Sequence, residues 1–181
     1  MVYFTLVETK RRMDIVKSKN KKRGEIAIYK PNGKMTGGVV QFKLSNNDDC
    51  MFLEAAKQVR PMKDPRPYDW ETKIIVKLGS GDICKFLAYL NMPAPSAPLK
   101  LFHQSPNGGN KTVEFKYQEY NGKPGYFLSV SAQGVDKQTG KAAISIGLDE
   151  AEFLKVGFKK ALEVFLSWDQ PEESWDRGQE D

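Results

Sequence analysis

Lysines alternate with aromatic and apolar residues along several short stretches of this sequence. Tyr29 precedes Lys30, Phe42 precedes Lys43, Trp70 stands three residues before Lys73, and Phe115-Lys-Tyr117 is followed by Tyr120. Aromatic faces stack on unpaired bases, each contact contributing about 1–3 kcal/mol without demanding a sequence, while ammonium groups meet the phosphates. On this reading Lys30, Lys34, Lys43, Lys73, Lys77 and Lys116 contact phosphates, and Tyr29, Trp70, His103 and Tyr120 make stacking or edge contacts. The competing reading is that the rings form the core of a β-rich body with lysine on its wet face. Trp70 is the most exposed to that objection, because a Trp after a Pro-rich crossing is often a core plug. Duplex reading would instead require a helix presenting Arg, Asn and Gln to a groove.

Catalytic chemistry is poorly supplied. His103 is the single histidine, and neither a hydrolytic triad nor a metal-ligand spacing surrounds it. Gly79-Ser-Gly-Asp-Ile-Cys-Lys85 resembles a phosphate loop but lacks the Gly-Lys-Ser/Thr ending, so it reads as a strand-to-helix turn. Cys84 is expected in the core rather than as a nucleophile. Asp48-Asp49 and Glu172-Glu173 are adjacent acids, which does not set two carboxylates across one site. The expectation is a non-enzyme without cofactor or metal.

The elements that must position these residues are read from periodicity. Period two over Glu25–Pro31, Val39–Leu44, Met51–Arg60 and Lys73–Leu78 gives four strands, with a crossing rich in proline at Pro61, Pro65 and Pro67. Ser80 then caps a helix through Ile83, Phe86, Leu87 and Leu90. Leu99–Gln104, Lys111–Tyr120, Gly125–Gln133 and Lys141–Ile146 are four further strands. Asp149 caps a longer helix, with Glu152 completing a capping box. Its apolar residues nearly encircle it, which implies a second packing partner.

Four strands and a helix therefore occur twice. Ile28-Tyr-Lys-Pro-Asn-Gly-Lys34 before Val40-Gln-Phe-Lys-Leu44 matches Leu101-Phe-His-Gln-Ser-Pro-Asn-Gly108 before Val113-Glu-Phe-Lys-Tyr117. Together with the repeated change of period, this favours an α+β fold with two related halves, at about 25–92 and 99–168.

Charge is distributed unevenly. Residues 169–181 hold six acids and one base, a net −5; with a chain total of +5, residues 1–168 carry +10. Residues 1–24 form a basic arm, with eight bases against two acids over 8–24. A basic body suits a polyanion, and counterion release makes such binding sensitive to salt. No apolar run is long enough to span a bilayer, and the two cysteines supply no disulfide framework.

Six motifs, in order from about residue 25 to 168, resemble the Whirly single-stranded DNA-binding proteins. They are Tyr29-Lys30 with Gly33-Lys34, Phe42-Lys-Leu-Ser45, Tyr68-Asp-Trp70 with Lys73, Phe102-His103, Phe127-Leu-Ser-Val130 and Ala151-Glu-Phe153. The resemblance implies two packed antiparallel four-stranded β-sheets with interspersed helices. It also implies a homotetramer formed through those helices, with bases lying along sheet edges between protomers. The related positive-cofactor-four coactivators share half of this plan and dimerise, and mitochondrial guide-RNA-binding proteins share all of it. The chain departs from the family in inserting Pro31-Asn32 and in placing Met35-Thr-Gly-Gly38 where small apolar residues are usual, which bears on higher-order assembly. Glu8 and Asp14 interrupt the basic arm, so the expected compartment is a bacterial or phage-infected cytoplasm, or a nucleus, rather than an organelle.

The function expected is sequence-tolerant binding of single-stranded DNA in replication, recombination, repair or transcription. RNA binding or annealing on the same fold, or a structural oligomeric adaptor, are the alternatives. The acidic tail, with Trp168 and Trp175 beside acids, is expected to compete for the basic surface or to dock a replication or repair protein. Deleting residues 169–181 should tighten single-strand binding at fixed salt; unchanged or weaker binding would exclude self-competition.

Overall fold

The computed structural model describes residues 24–104, 108–134 and 139–166. Nearly all of the basic arm and the acidic tail lie outside these residues. Strands β1 (Glu25–Lys30), β2 (Gly38–Leu44), β3 (Met51–Lys57) and β4 (Ile74–Leu78) precede helix α1 (Ser80–Leu90). Strands β5 (Leu99–Gln104), β6 (Asn110–Tyr120), β7 (Lys123–Gln133) and β8 (Thr139–Gly147) precede α2 (Leu148–Phe165). Each set of four forms an antiparallel sheet in sequence order. The expected two-sheet plan with its repeated ββββα order therefore holds.

Alternation fixes which side of each strand faces inward. In the first sheet Ile28, Val40, Ala55 and Ile74 lie in register, as do Ile26, Phe42, Leu53 and Val76. All belong to the main core or pack against it. Leu101, Val113, Val130 and Ala142 form the equivalent row of the second sheet. Strand β8 touches β1, β2, β3 and β4, so the second sheet's edge runs across the strands of the first. Phe158 of α2 lies at the meeting point, with ring centroids 5.2 Å from Phe42 and 5.3 Å from Phe86.

Three local expectations are corrected. Strand β3 ends at Lys57 rather than running to Arg60, because Gln58 leaves the ladder and makes an isolated bridge to Tyr68. Both helices begin earlier than Ser80 and Asp149 would set as caps. Gly79 and Gly147 are the N-caps, and their N–H groups donate to Asp82 and Glu150 three residues on, at 3.3 and 2.8 Å. A carboxylate reaching back satisfies an orphan donor whether or not the cap has a side chain. Cys84 is exposed rather than in the core, since the buried stripe of α1 is Ile83, Phe86, Tyr89 and Leu90 and position 84 lies off it. Cys50 is the buried thiol.

Gln58 explains how the crossing after β3 is held. Its Nε2 donates to the carbonyls of Asn32 and Arg60, at 3.0 and 2.9 Å, and its Oε1 accepts the Asn32 N–H at 2.8 Å. Gly37 leaves room for this clamp: a Cβ there would overlap the Lys30 carbonyl oxygen and crowd Gln58 Oε1. Replacing Gln58 by Ala would leave three backbone groups without their partner. The expected cost is about 2–3 kcal/mol in urea unfolding, and Gly37→Ala should cost a similar amount.

Candidate nucleic-acid interface

The outward side chains of the first sheet form three cross-strand rows. Glu25, Lys43, Phe52 and Lys77 make one; Ala27, Gln41, Glu54 and Ile75 the next; Tyr29, Val39 and Ala56 the third. The residues after β3 fold back over this third row. Tyr68 packs on Val39 and Ala56 in a small satellite core, with Trp70 partly buried against it. Trp70 is thus a plug of the outer face, not of the main core. Tyr29 remains 50% exposed, its ring 5.8 Å from that of Tyr68 and its hydroxyl accepting from Gln41 Nε2 at 2.9 Å.

Glu54 organises the cations of this face. Lys73 Nζ lies 2.7 Å and Lys43 Nζ 3.3 Å from the same carboxylate oxygen. Partial burial pushes the Glu54 carboxyl up, but the hydrogen bonds from Lys73 and Lys43 outweigh it and leave it below the usual range. Lys73 Nζ is also 5.9 Å from the Trp70 ring centroid, within cation–π reach. Tyr29, Lys43, Trp70 and Lys73 are therefore brought together on one sheet surface.

Lys77 shares the outward row of Lys43 but stands at the β4 edge, where it and His103 line a cleft of about 460 Å³ with Asp82 and Lys111. Lys77 pairs with Asp49 at 3.1 Å; hydrogen bonds from Ser45 and then Lys77 hold that carboxyl down at about 2. His103 Nε2 is buried 3.5 Å from Asp82 with no hydrogen-bond partner among the described residues. His103 lies on the inward side of β5, so it stacks on nothing in the open. Lys111 Nζ donates to the Ile75 carbonyl on the edge of β4, at 2.7 Å.

The remaining expected residues are dispersed. Lys30 pairs with Glu150 at 2.6 Å, joining β1 to the first turn of α2, and lines a shallow cleft with Tyr120 and Lys123. Tyr120 is 73% exposed at the end of β6. Lys34 stands exposed in the β1–β2 turn, which Asn32 Oδ1 stabilises by accepting from the N–H groups of Lys34 and Thr36. Lys116 lies over the Phe127 ring at 5.3 Å on the outer side of the second sheet.

That second outer face holds residues the sequence reading did not assign to the interface. Phe102, 66% exposed, shares a cross-strand row with Thr112, Ser131 and Lys141, and Lys100 lies in the next row. Their signal was present: Lys100 and Phe102 occupy the phase of β5 opposite to Leu99 and Leu101. Arg60 and Arg66 were also passed over, although both flank the prolines of the crossing.

A family model, the Whirly transcription factor, matches residues 25–157. The chain belongs to the Whirly family. The family suggests binding of single-stranded nucleic acid. No curated protein matches the sequence. WHY1 from Arabidopsis thaliana is similar in fold, with a TM-score of 0.63 and 17% identity over 81% of this chain and 92% of that one. The plant transcriptional regulator PBF-2 gives 0.60 at 17% identity, covering 81% and 84%. Trypanosoma brucei MRP1/MRP2 gives 0.61 at 13% identity, covering 92% and 99%. A guide-RNA-binding protein complex bound to a guide RNA gives 0.58 at 14% identity, covering 80% and 94%. The shared Whirly fold thus spans structures described as a transcriptional regulator and as a guide-RNA complex. Among the described residues no helix is long and apolar enough to cross a membrane.

Proposed function

We propose that this Whirly chain binds single-stranded DNA without strict sequence preference, in replication, recombination, repair or transcription. The observation that carries this reading is the shared outer surface of Tyr29, Lys43, Trp70 and Lys73 on the first sheet. Rings beside ammonium groups on an open sheet suit an unpaired strand, whose bases have free faces and whose phosphates follow at short intervals. Lys77 and Lys111 extend the cationic surface around the β4 edge, and Lys116 with Phe102 and Phe127 repeats the pattern on the second sheet. Lys30, Lys34 and Tyr120 act at the periphery. RNA is the second reading, favoured by the similarity to a guide-RNA-bound complex; phosphates and bases are common to both ligands, and only the 2′-OH separates them.

A labelled dT oligomer challenged with matched RNA and duplex DNA across a salt series tests this. Single-stranded DNA should hold its place against duplex, with affinity falling steeply as salt rises. Duplex outcompeting the single strand would overturn the reading; RNA outcompeting it would select the second.

Assembly through the helices is part of the proposal. On α2, Phe153 and Val156 are 59% and 64% exposed and lie three residues apart, opposite the buried Leu154 and Phe158. A second copy of the chain is the occupant proposed for this face. Phe153→Glu with Val156→Glu should reduce the particle to a monomer by sedimentation while the fold melts normally. An unchanged mass would remove α2 from the interface.

A further inference from the structure

The crossing between β3 and β4 does more than cover a sheet. It encloses a cleft of about 430 Å³, lined among others by Arg60, Arg66, Tyr68, Trp70 and Glu71. This falls within the span of about 300–1,000 Å³ usual for small-ligand sites. Arg60 and Arg66 are the only arginines among the described residues, and both line this one cleft. Every other cation of the candidate interface is lysine.

Neither guanidinium is held by a hydrogen bond among the described residues. Arg60 makes one long, exposed ion pair, Nη1 to Asp64 Oδ1 at 3.9 Å, and the Arg66 side chain has no ion-pair partner among the described residues. Their backbones are nevertheless fixed. The Arg60 N–H donates to the Pro67 carbonyl at 3.2 Å, its carbonyl accepts from Gln58, and the Arg66 N–H donates to Asp64 at 2.7 Å. Tyr68 is buried beneath, and the Trp70 indole stands on the side shared with Lys73. The cleft therefore opens beside the outer face of the first sheet.

Its chemistry differs from that of the lysine surface. A planar guanidinium presents a fork of donors that matches paired acceptors, whereas an ammonium acts as a point charge. A carboxylate, that of Glu71, shares the lining and repels a phosphate held there. Asp69 also lines the cleft; Thr72 donates to both of its oxygens, which keeps it ionised and adds to the repulsion of phosphate. Aromatic faces, forked donors and one open carboxylate together describe a nucleobase that carries both acceptors and donors. Guanine has that edge pattern: O6 and N7 accept from arginine, and its N1–H and N2–H groups donate to a carboxylate. Adenine lacks the O6 acceptor, and thymine lacks N7.

We propose that this cleft is a base pocket that takes one guanine out of the strand lying on the first sheet. The pocket gives an otherwise sequence-tolerant surface a single preferred position. The inference rests on the proposed single-strand binding and names the base recognised beside that surface.

The test compares oligomers of dT carrying one central dG, one central dA or none, by fluorescence anisotropy at fixed salt. The dG oligomer should bind on the order of tenfold more tightly than all-dT. In an Arg60→Ala, Arg66→Ala variant the ratio of dG-containing to all-dT affinity should fall to about one. Both side chains are exposed, so the variant keeps the fold. An oligomer with 6-thioguanine at the same place should photo-cross-link to the peptide spanning 58–73. A wild-type ratio of one, an equal gain for dA, a gain that survives in the double variant, or cross-linking confined to other peptides would each overturn the pocket. All-dT failing to bind would instead remove the sheet-face reading, and the pocket with it.

Discussion

Lys43→Gln combined with Lys73→Gln is expected to weaken single-stranded DNA binding by at least about tenfold at low salt, with the slope of log affinity against log salt flattened by about 1.4. The slope follows from losing two phosphate contacts at roughly 0.7 each on a single strand. The loss exceeds simple removal of two charges because of Glu54. Both lysines meet one of its carboxylate oxygens, at 3.3 and 2.7 Å, so the double variant exposes an unneutralised anion in the middle of the surface. The same geometry gives a change of opposite sign. Glu54→Gln releases Lys73 and leaves Lys43 with only Glu25, 3.6 Å away, and should tighten binding while steepening the slope by about 0.7. Anisotropy titrations from low to moderate salt measure both variants. If Glu54→Gln weakens binding, the carboxylate positions the lysines rather than competing with the strand, and the account of this face fails.

Phe158→Ala is expected to cost about 3–5 kcal/mol, the largest stability loss of any single change considered for this chain. Its ring is fully buried and packs edge-on against Phe42 of the first sheet and at a tilt against Phe86 of α1. Phe86 in turn meets Phe115 of the second sheet at 5.4 Å. One truncation therefore opens a cavity where both sheets and both helices converge, and the surroundings cannot close it without moving a sheet. Against a typical total of about 5–15 kcal/mol, the variant keeps little margin. Urea titration should show a lower midpoint with an unchanged slope. A loss below about 1 kcal/mol would mean that the two halves are not coupled through this ring.

How much of this was legible beforehand depends on the range of the interaction. Strand phase, helix stripes and the doubling of the ββββα unit are local. Ile74, Val76 and Leu78 alternate with Ile75 and Lys77 in the chain, and one face of β4 is buried in the same alternation. Six ordered motifs were enough to bring out the family. The caps fell one or two residues off because the capping carboxylates, Asp82 and Glu150, reach back to glycines that carry no side-chain signal.

The sequence by itself determined which residues share a face of each strand, because a pleated strand turns alternate side chains to opposite faces whatever it packs against. Only the tertiary structure decided which of those residues meet. Register places Lys43 opposite Phe52 and beside Glu54, and the fold-back after β3 brings Lys73 and Trp70 to the same patch. Packing of α2 against β1 turns Lys30 toward Glu150, far along the chain, and the crossing gathers Arg60 and Arg66 around one cleft. Such neighbours depend on register and on the path between strands, which periodicity within a strand does not encode.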